Sequence, residues 1–412
     1  MCEKMINLHE SIGDLKSLVM LDLYGTQIEE LPDSICRLSS LKYLILGPGS
    51  SLENLPKSIG DLKSLVDLDL HRTQIEELPE RIRRLSSLGK LILNGCVSLR
   101  KLSKLPSTLT HLKVESCISL QKLPSLSSLK NLRELNLSNC KMLEEIQGLE
   151  ATKSLVEFSL YDCDTIETLP EVPLTLTSLK IESCFSLQKL PYFSGLKNLR
   201  DLVLSDRDKL EEIRGLEATI SLEEFSLYDC DTIETLPELS STLTSLKIKS
   251  CFSLQKLPDF SVLKNLRELF LSDCDKLEEI RGLEGTESLE KFGMYHCKTI
   301  TDTPRKRLGQ GKLLVDLFSG SYSLNLNDGI YKGLILCLVF ELDINEQGRR
   351  RNTGKDIIYI HHFKGFDWFG FPLKGIDAIE EISVQGRDCD VKFWKLLPEN
   401  TETDQRMVAD FF

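Results

Sequence analysis

From Leu18 onward one arrangement of apolar and polar positions recurs along the chain. Leucine or an equivalent stands at the first, fourth and sixth places of the segment LxxLxLxx(C/T). The segment starts at Leu18, Leu41, Leu65, Leu88, Leu109, Leu132, Leu155, Leu176, Leu199, Leu222, Leu243, Leu266 and Leu289, thirteen units spaced 21 to 24 residues apart. Alternation between the fourth and sixth places gives a strand with one buried face. No unit of this length can bury its leucines alone, so neighbouring units must stack. The strands are then expected to lie parallel, roughly 4.8 Å apart, and the later LP and ΦxxLxxL segments return the chain over the other side. Pro32, Pro56, Pro79, Pro124, Pro170, Pro191, Pro237 and Pro258 fall just after that turn, where a missing N–H costs no ladder bond.

This is the leucine-rich repeat pattern, and it predicts a curved α/β solenoid over residues 1–303 with a parallel sheet on its concave side. Residues 8–17 match the second half of a unit. That half-repeat lacks a polar cap, so the first strand is expected to present an open sheet edge. A longer period is superposed. ESCISLQKLP (115–124), ESCFSLQKLP (182–191) and KSCFSLQKLP (249–258) stand 67 residues apart, as do the two copies of LYDCDTIETLPE at 160–171 and 227–238. Three repeats of 23, 23 and 21 residues thus form a duplicated module.

The ninth place holds Cys96, Cys117, Cys140, Cys163, Cys184, Cys230, Cys251, Cys274 and Cys297, with Thr26 and Thr73 in the same slot of the first and third units. A small side chain that fits the bend and bonds weakly to backbone suits that slot, and a free thiol does both. There is no C-x2-C pair to suggest zinc. The cysteines therefore predict a reduced structural ladder, and a cytoplasmic or nucleo-cytoplasmic location follows from so many free thiols. Arg207 interrupts the ladder, which predicts a local distortion or an outward swing.

Past Thr301 the period stops, and residues 304–412 read as a second domain. Short β-type runs at 321–326, 333–342, 355–363, 380–386 and 390–397 are separated by glycine and polar turns, which predicts a small antiparallel β-sandwich. The nearly all-apolar GLILCLVFEL (333–342) reads as a central strand, and GRRRNTGK (348–355) as a solvated loop. In FKGFDWFGF (363–371), Phe366, Trp368 and Phe369 either fill the sheet core or form a contact loop for a partner.

Charge and candidate chemistry narrow the function. The net charge is −12, and residues 1–303 carry 47 of the 63 acidic and 36 of the 51 basic side chains. An acidic chain argues against nucleic acid as a partner. No apolar run approaches the ~18–20 residues that span a bilayer, so no membrane partner is expected, and the start lacks a secretory signal. GQGK at 309–312 lacks the first glycine of a phosphate loop and is followed by Leu313. His361 and His362 are adjacent and would point to opposite strand faces, and Cys389 has no nearby histidine. No cofactor, metal or catalytic residue is expected.

The unit LVMLDLYGTQIEELPDSICRLSSL (18–41) and the CxxLxxLP units after it resemble the repeat region of plant TIR-NB-LRR intracellular immune receptors, in the flavour of the flax rust-resistance proteins. KGLILCLVFE (332–341) and ISVQGRDCDVKFWKLLPEN (382–400) are similar to the jelly-roll-like domain that follows the repeats in those receptors. Nothing here resembles their TIR or nucleotide-binding domains, so the family's NAD cleavage and nucleotide switching do not carry over. The resemblance implies a surface that senses a pathogen effector or a guarded host protein, or that restrains TIR and nucleotide-binding domains in cis or trans. Other readings are a stand-alone repeat scaffold, or an LRR ubiquitin ligase, whose helical C-x-D catalytic part has no counterpart here.

The third, fifth and seventh places of each unit should face outward. Candidate contact residues are Tyr24, Lys113, Glu115, Asn136, Tyr161, Lys180, Glu182, Val203, Tyr228, Lys247, Lys249, Phe270 and Tyr295. Tyrosine recurs at the seventh place, and the fifth-place residues Asn136, Val203 and Phe270 differ while the framework leucines stay. Such side chains on a rigid strand suit a protein interface; the alternative is a merely solvated face.

Overall fold

A computed structural model describes residues 5–295 except 206–208, 211, 287 and 290, together with residue 297 and the backbone of five later strands. Ten strands belong to a first compact unit, Met1–Leu243 with Ser250–Leu254, and eight to a second, Thr244–Lys249 with Gln255–Phe412.

In the first unit the strands are β1 (Met20–Asp22), β2 (Tyr43–Ile45), β3 (Asp67–Asp69), β4 (Lys90–Ile92), β5 (His111–Glu115), β6 (Glu134–Ser138), β7 (Glu157–Tyr161), β8 (Ser178–Glu182), β9 (Asp201–Ser205) and β10 (Glu224–Tyr228). They pair in parallel and in chain order, and equal repeat places face each other: Leu21, Leu44, Leu68, Leu91 and Leu112 lie in one row. Fourth- and sixth-place side chains are buried, except for the half-buried Leu21 on the edge strand, and the intervening ones reach solvent. The repeat spacing thus fixes the register, because a one-residue slip would turn every leucine outward.

Among the described residues the eighth place ends the strands in a left-handed residue except after β2, where Pro48 holds that place and Gly49 is left-handed instead. Gly25 and Gly95 take it, but so do Arg72, Ser116, Asn139, Asp162, Ser183, Asp229, Ser250 and Asp273, all with φ between 50° and 55° among the non-glycine residues. The turn aims the ninth side chain inward. Its N–H donates to the seventh-place carbonyl of the next unit, as in Asn139 to Tyr161 at 2.8 Å and Ser116 to Ser138 at 2.7 Å. Short polar side chains tolerate this conformation better than branched ones.

The cysteine ladder stands as expected. All nine ninth-place cysteines are free and buried. The Cys96 thiol donates to Leu70 O at 3.1 Å, Cys117 to Leu93 O at 2.9 Å and Cys140 to Val114 O at 3.5 Å, in each case the sixth-place carbonyl of the preceding unit. Thr26 and Thr73 instead bond the sixth-place carbonyl of their own unit.

The return segments differ from the α-helical expectation. Among the described residues most form 3-10 helices of three to five residues, such as Asp33–Arg37 after Pro32 and Leu149–Ala151 after the left-handed Gly148, while the shorter returns after β4, β7 and β10 hold no helix. The unit is too short to spend more, and i→i+3 bonds close the turn in fewer residues. Isolated bridges form a minor parallel ladder through Lys101, Lys122 and Glu145. Bridges at Glu30, Lys122, Thr168, Lys189 and Lys256 each precede a proline by two residues, so the prolines stand outside the ladder.

The second unit contains β11 (Ser245–Lys249), β12 (Glu268–Ser272) and β13 (Lys291–Tyr295), parallel and in the same register, followed by β14 (Leu314–Phe318), which pairs in parallel with β13. The sequence pattern did not give β14. Two antiparallel pairs follow, β15 (Ile335–Ile344) with β16 (Arg350–His361), and β17 (Ile376–Gln385) with β18 (Asp390–Pro398). GRRRNTGK was expected to be a loop, yet Arg350–Lys355 belongs to β16, because Arg350, Arg351 and Asn352 pair with Ile344, Asp343 and Leu342. GLILCLVFEL was expected at a sheet centre, yet β15 ends its sheet order; backbone pairing, not apolar composition, sets a strand's place. The 303/304 boundary, the 321–326 run, Arg207, Cys389 and the loop with Phe366, Trp368 and Phe369 lie outside the described residues.

Candidate functional site

Strand alternation places the expected contact residues on one solvent face in three rows. In the first unit, the fifth-place row runs Lys113, Asn136, Ser159, Lys180, Val203, Ser226. The seventh-place row includes Glu115, Ser138, Tyr161 and Glu182, and Ser205 lies opposite Tyr228. In the second unit Lys247 lies opposite Phe270, and Lys249 and Tyr295 both flank Ser272; nothing beyond this backbone position is described for Tyr295.

The tyrosines share a face without touching. Tyr24 is 56% exposed and Tyr161 47% exposed, whereas Tyr228 is half-buried. Tyr161 and Tyr228 are three strands apart, about 14 Å, and Tyr24 is six strands from Tyr161, about 29 Å, at normal strand spacing. Glu182 on β8 and Ser205 on β9 stand between Tyr161 and Tyr228.

The fifth-place lysines reach across to the neighbouring strand. Lys113 Nζ lies 2.8 Å from Glu134, Lys180 Nζ 3.1 Å from Asp201 and Lys247 Nζ 4.0 Å from Glu268. In every case a fifth-place lysine reaches a third-place carboxylate on the next strand, and both members recur with the 67-residue module. The hydrogen bond to Glu134 raises the Lys113 ammonium above its ordinary range. These lysines are therefore matched within the face, and their partners Glu134, Asp201 and Glu268 were not among the expected residues. The signal was present in the sequence as a carboxylate 21 residues after each lysine.

A second set missed by the sequence reading lies at the β1–β3 end. Gly47, at the seventh place of its unit, has no side chain, and a Cβ there would stand 2.6 Å from the Tyr24 ring and 3.1 Å from His71. The two rings close over it with centroids 5.7 Å apart. Asp69 Oδ1 lies 2.9 Å from His71 Nδ1 and accepts the His71 backbone N–H at 3.0 Å. Beside them Tyr43 is exposed, and burial pushes the Asp67 carboxyl up against the pull of Lys90.

Just past the strands, Lys141 binds both Asp162 and Asp164. Thr108, Thr110, Asn131, Arg133, Ser154, Val156 and Thr175 line a shallow depression. Most of those hydroxyls already donate to backbone, for example Thr175 to Leu155 O at 2.7 Å. Among the described residues no group of three or more His, Cys, Asp or Glu side chains is arranged to hold a metal ion.

Residues 36–193 match the family model of a leucine-rich repeat region, and residues 180–301 that of the BspA type leucine rich repeat region. The chain is a leucine-rich-repeat protein. It is similar to a probable disease resistance protein of Arabidopsis thaliana, 30% identical over 131 residues. That match covers 31% of this chain and 10% of the Arabidopsis protein. Among solved structures, the functional domain of InlJ from Listeria monocytogenes, which includes a cysteine ladder, is 20% identical with a TM-score of 0.51, covering 73% of this chain and 60% of that one. Toll, in the Toll–Spatzle complex of Drosophila, is 19% identical with a TM-score of 0.50, covering 71% and 41%. At these identities the solved structures show the fold alone. No helix among the described residues is long and apolar enough to cross a membrane. Leucine-rich repeats generally mediate protein–protein contacts, and a scaffold of this kind is typically not enzymatic.

Proposed function

We propose that this chain is the protein-recognition region of a plant intracellular immune receptor. Its strand face senses a pathogen effector or a guarded host protein, or restrains a nucleotide-binding switch domain. One observation carries the reading: a buried apolar interior of leucines and cysteines holds a solvent face on which some places differ from module to module, as Asn136, Val203 and Phe270 do, beside recurring lysines and tyrosines. A face kept rigid inside and varied outside is suited to reading other proteins. The likeness to the Arabidopsis disease resistance protein supports the setting, and the free thiols support a reducing cytoplasmic location. In the same proposal residues 304–412 form a separate jelly-roll-like sandwich built on the β15/β16 and β17/β18 pairs.

The test replaces Tyr161, Tyr228 and Tyr295 together with alanine. Each tyrosine acting as a hot spot contributes about 2 kcal/mol or more, roughly a thirtyfold change in affinity. The triple variant should lose ligand binding and cell-death signalling in a leaf assay while its circular dichroism melt stays unchanged. Normal binding and signalling by a folded variant would move recognition away from this part of the face.

A further inference from the structure

We propose that the β1–β3 end of the strand face takes a lysine or arginine side chain of a protein partner, held between the Tyr24 and Tyr43 rings and the carboxylates of Asp22, Asp67 and Asp69. The proposal rests on the reading of this face as a protein-binding surface and names the chemistry that one end of it fits.

Three rows build the place. Met20, Tyr43, Asp67 and Lys90 are register neighbours at the third place, and Asp22, Ile45, Asp69 and Ile92 at the fifth. Tyr24, Gly47 and His71 follow at the seventh. The missing side chain at Gly47 draws the Tyr24 and His71 rings together. Met20 and Tyr43 are exposed beside them, so aromatic and apolar surface is open to solvent next to carboxylates.

Charge decides the occupant. Farther along the face each fifth-place lysine of the module already reaches a carboxylate, as Lys113 does Glu134 and Lys180 does Asp201. At this end three carboxylates face one lysine. Lys90 approaches Asp67 Oδ2 at 3.6 Å, while Asp67 Oδ1 is buried with no hydrogen-bond partner among the described residues. Asp22 uses Oδ1 to accept the Tyr24 N–H, and Asp69 uses Oδ1 for His71. No described lysine or arginine lies within ion-pair distance of Asp22 or Asp69, and the second oxygen of each is left for an incoming donor. A guanidinium or ammonium there would satisfy them while lying against tyrosine faces.

The experiment sorts a random-peptide display library on the 412-residue chain and measures the enriched peptides by fluorescence anisotropy. Enriched peptides should carry lysine or arginine. Replacing that residue by citrulline or norleucine should weaken binding about tenfold or more, and raising the salt concentration should weaken it further. Tyr43→Ala, Tyr24→Ala and Asp69→Asn should each weaken it about tenfold, and Arg83→Ala on the return side should leave it unchanged. Gly47→Ala gives a second route, because its methyl would push the Tyr24 ring away without removing any contact group. Peptides without basic residues, or no enrichment at all, would overturn the proposal. Binding that falls with Tyr161→Ala but not with Tyr24→Ala would overturn it while leaving the face a protein-binding surface. Binding that ignores substitutions at both ends would sink both readings.

Discussion

Single residues in this protein are chosen by where a repeat place points. The ninth place must be small, buried and able to donate, and cysteine meets all three demands. Removing one rung leaves an unpaired carbonyl and a small void, so Cys117→Ala should cost about 1–2 kcal/mol, read from the urea midpoint. The ladder also predicts a pH dependence. The hydrogen bond with the Cys96 thiol, and burial, hold Cys117 protonated well above the ordinary thiol value of 9.0; Cys163 and Cys251 are held up in the same way by Cys140 and Cys230. At each of these three residues the native chain keeps a proton that the unfolded chain releases above pH 9, so the stability these three thiols contribute falls as pH rises. Below that value both states carry the proton and the effect vanishes. Denaturant melts at rising alkaline pH should show this loss. A chain with Cys117, Cys163 and Cys251 replaced by serine should lose less over the same interval.

At the scale of the element, the common unit is a strand, a left-handed turn and a return that in most units holds a 3-10 helix. The strand is stabilised by its inward leucines, so Leu227→Ala, at a fully buried sixth place, should destabilise by about 2–5 kcal/mol. The turn is limited by backbone sterics instead. Ser250 has φ 52°, so Ser250→Val should cost about 1–2 kcal/mol, whereas Ser250→Gly should be tolerated. Thermal melts of the three variants separate these two origins of stability. The return was the element least legible in the sequence. ΦxxLxxL spacing fits an α-helix as well as it fits a 3-10 turn, and only the length left between stacked strands selects the shorter form.

For the whole molecule, stacking makes every unit depend on its neighbours, and the first described unit shows the consequence. Leu15 is 51% exposed, while Leu38, Leu62 and Leu85 at the same repeat place are fully buried. Val19 is 44% exposed, and among the described residues no strand lies on the far side of β1. An apolar end with unpaired backbone groups invites pairing with another chain. The chain should self-associate as concentration rises in sedimentation velocity, and Leu15→Lys with Val19→Lys should suppress this without lowering the melting temperature. A monodisperse parent chain would show that this end is not adhesive.

The sequence by itself determined the repeat, the strand register and the inward leucines and cysteines. Each follows from a period that local alternation and stacking read in only one way, and the register rows from Leu21 to Leu112 obey it. It also determined which side chains face outward. Tertiary structure decided what those side chains do there. Lys113 and Lys180 pair with carboxylates on the next strand because parallel stacking brings residues 21 apart in sequence onto neighbouring strands. Tyr24 meets His71 across two strands because Gly47 lacks a side chain between them. Tyr161 and Tyr228, one tyrosine row by sequence, stand about 14 Å apart because each strand adds about 4.8 Å. Pairing also drew Arg350–Lys355 into β16 against its polar composition. Periodicity is a property of one chain segment and can be read locally. Contact is a property of segments far apart in sequence, and only their assembly in space sets it.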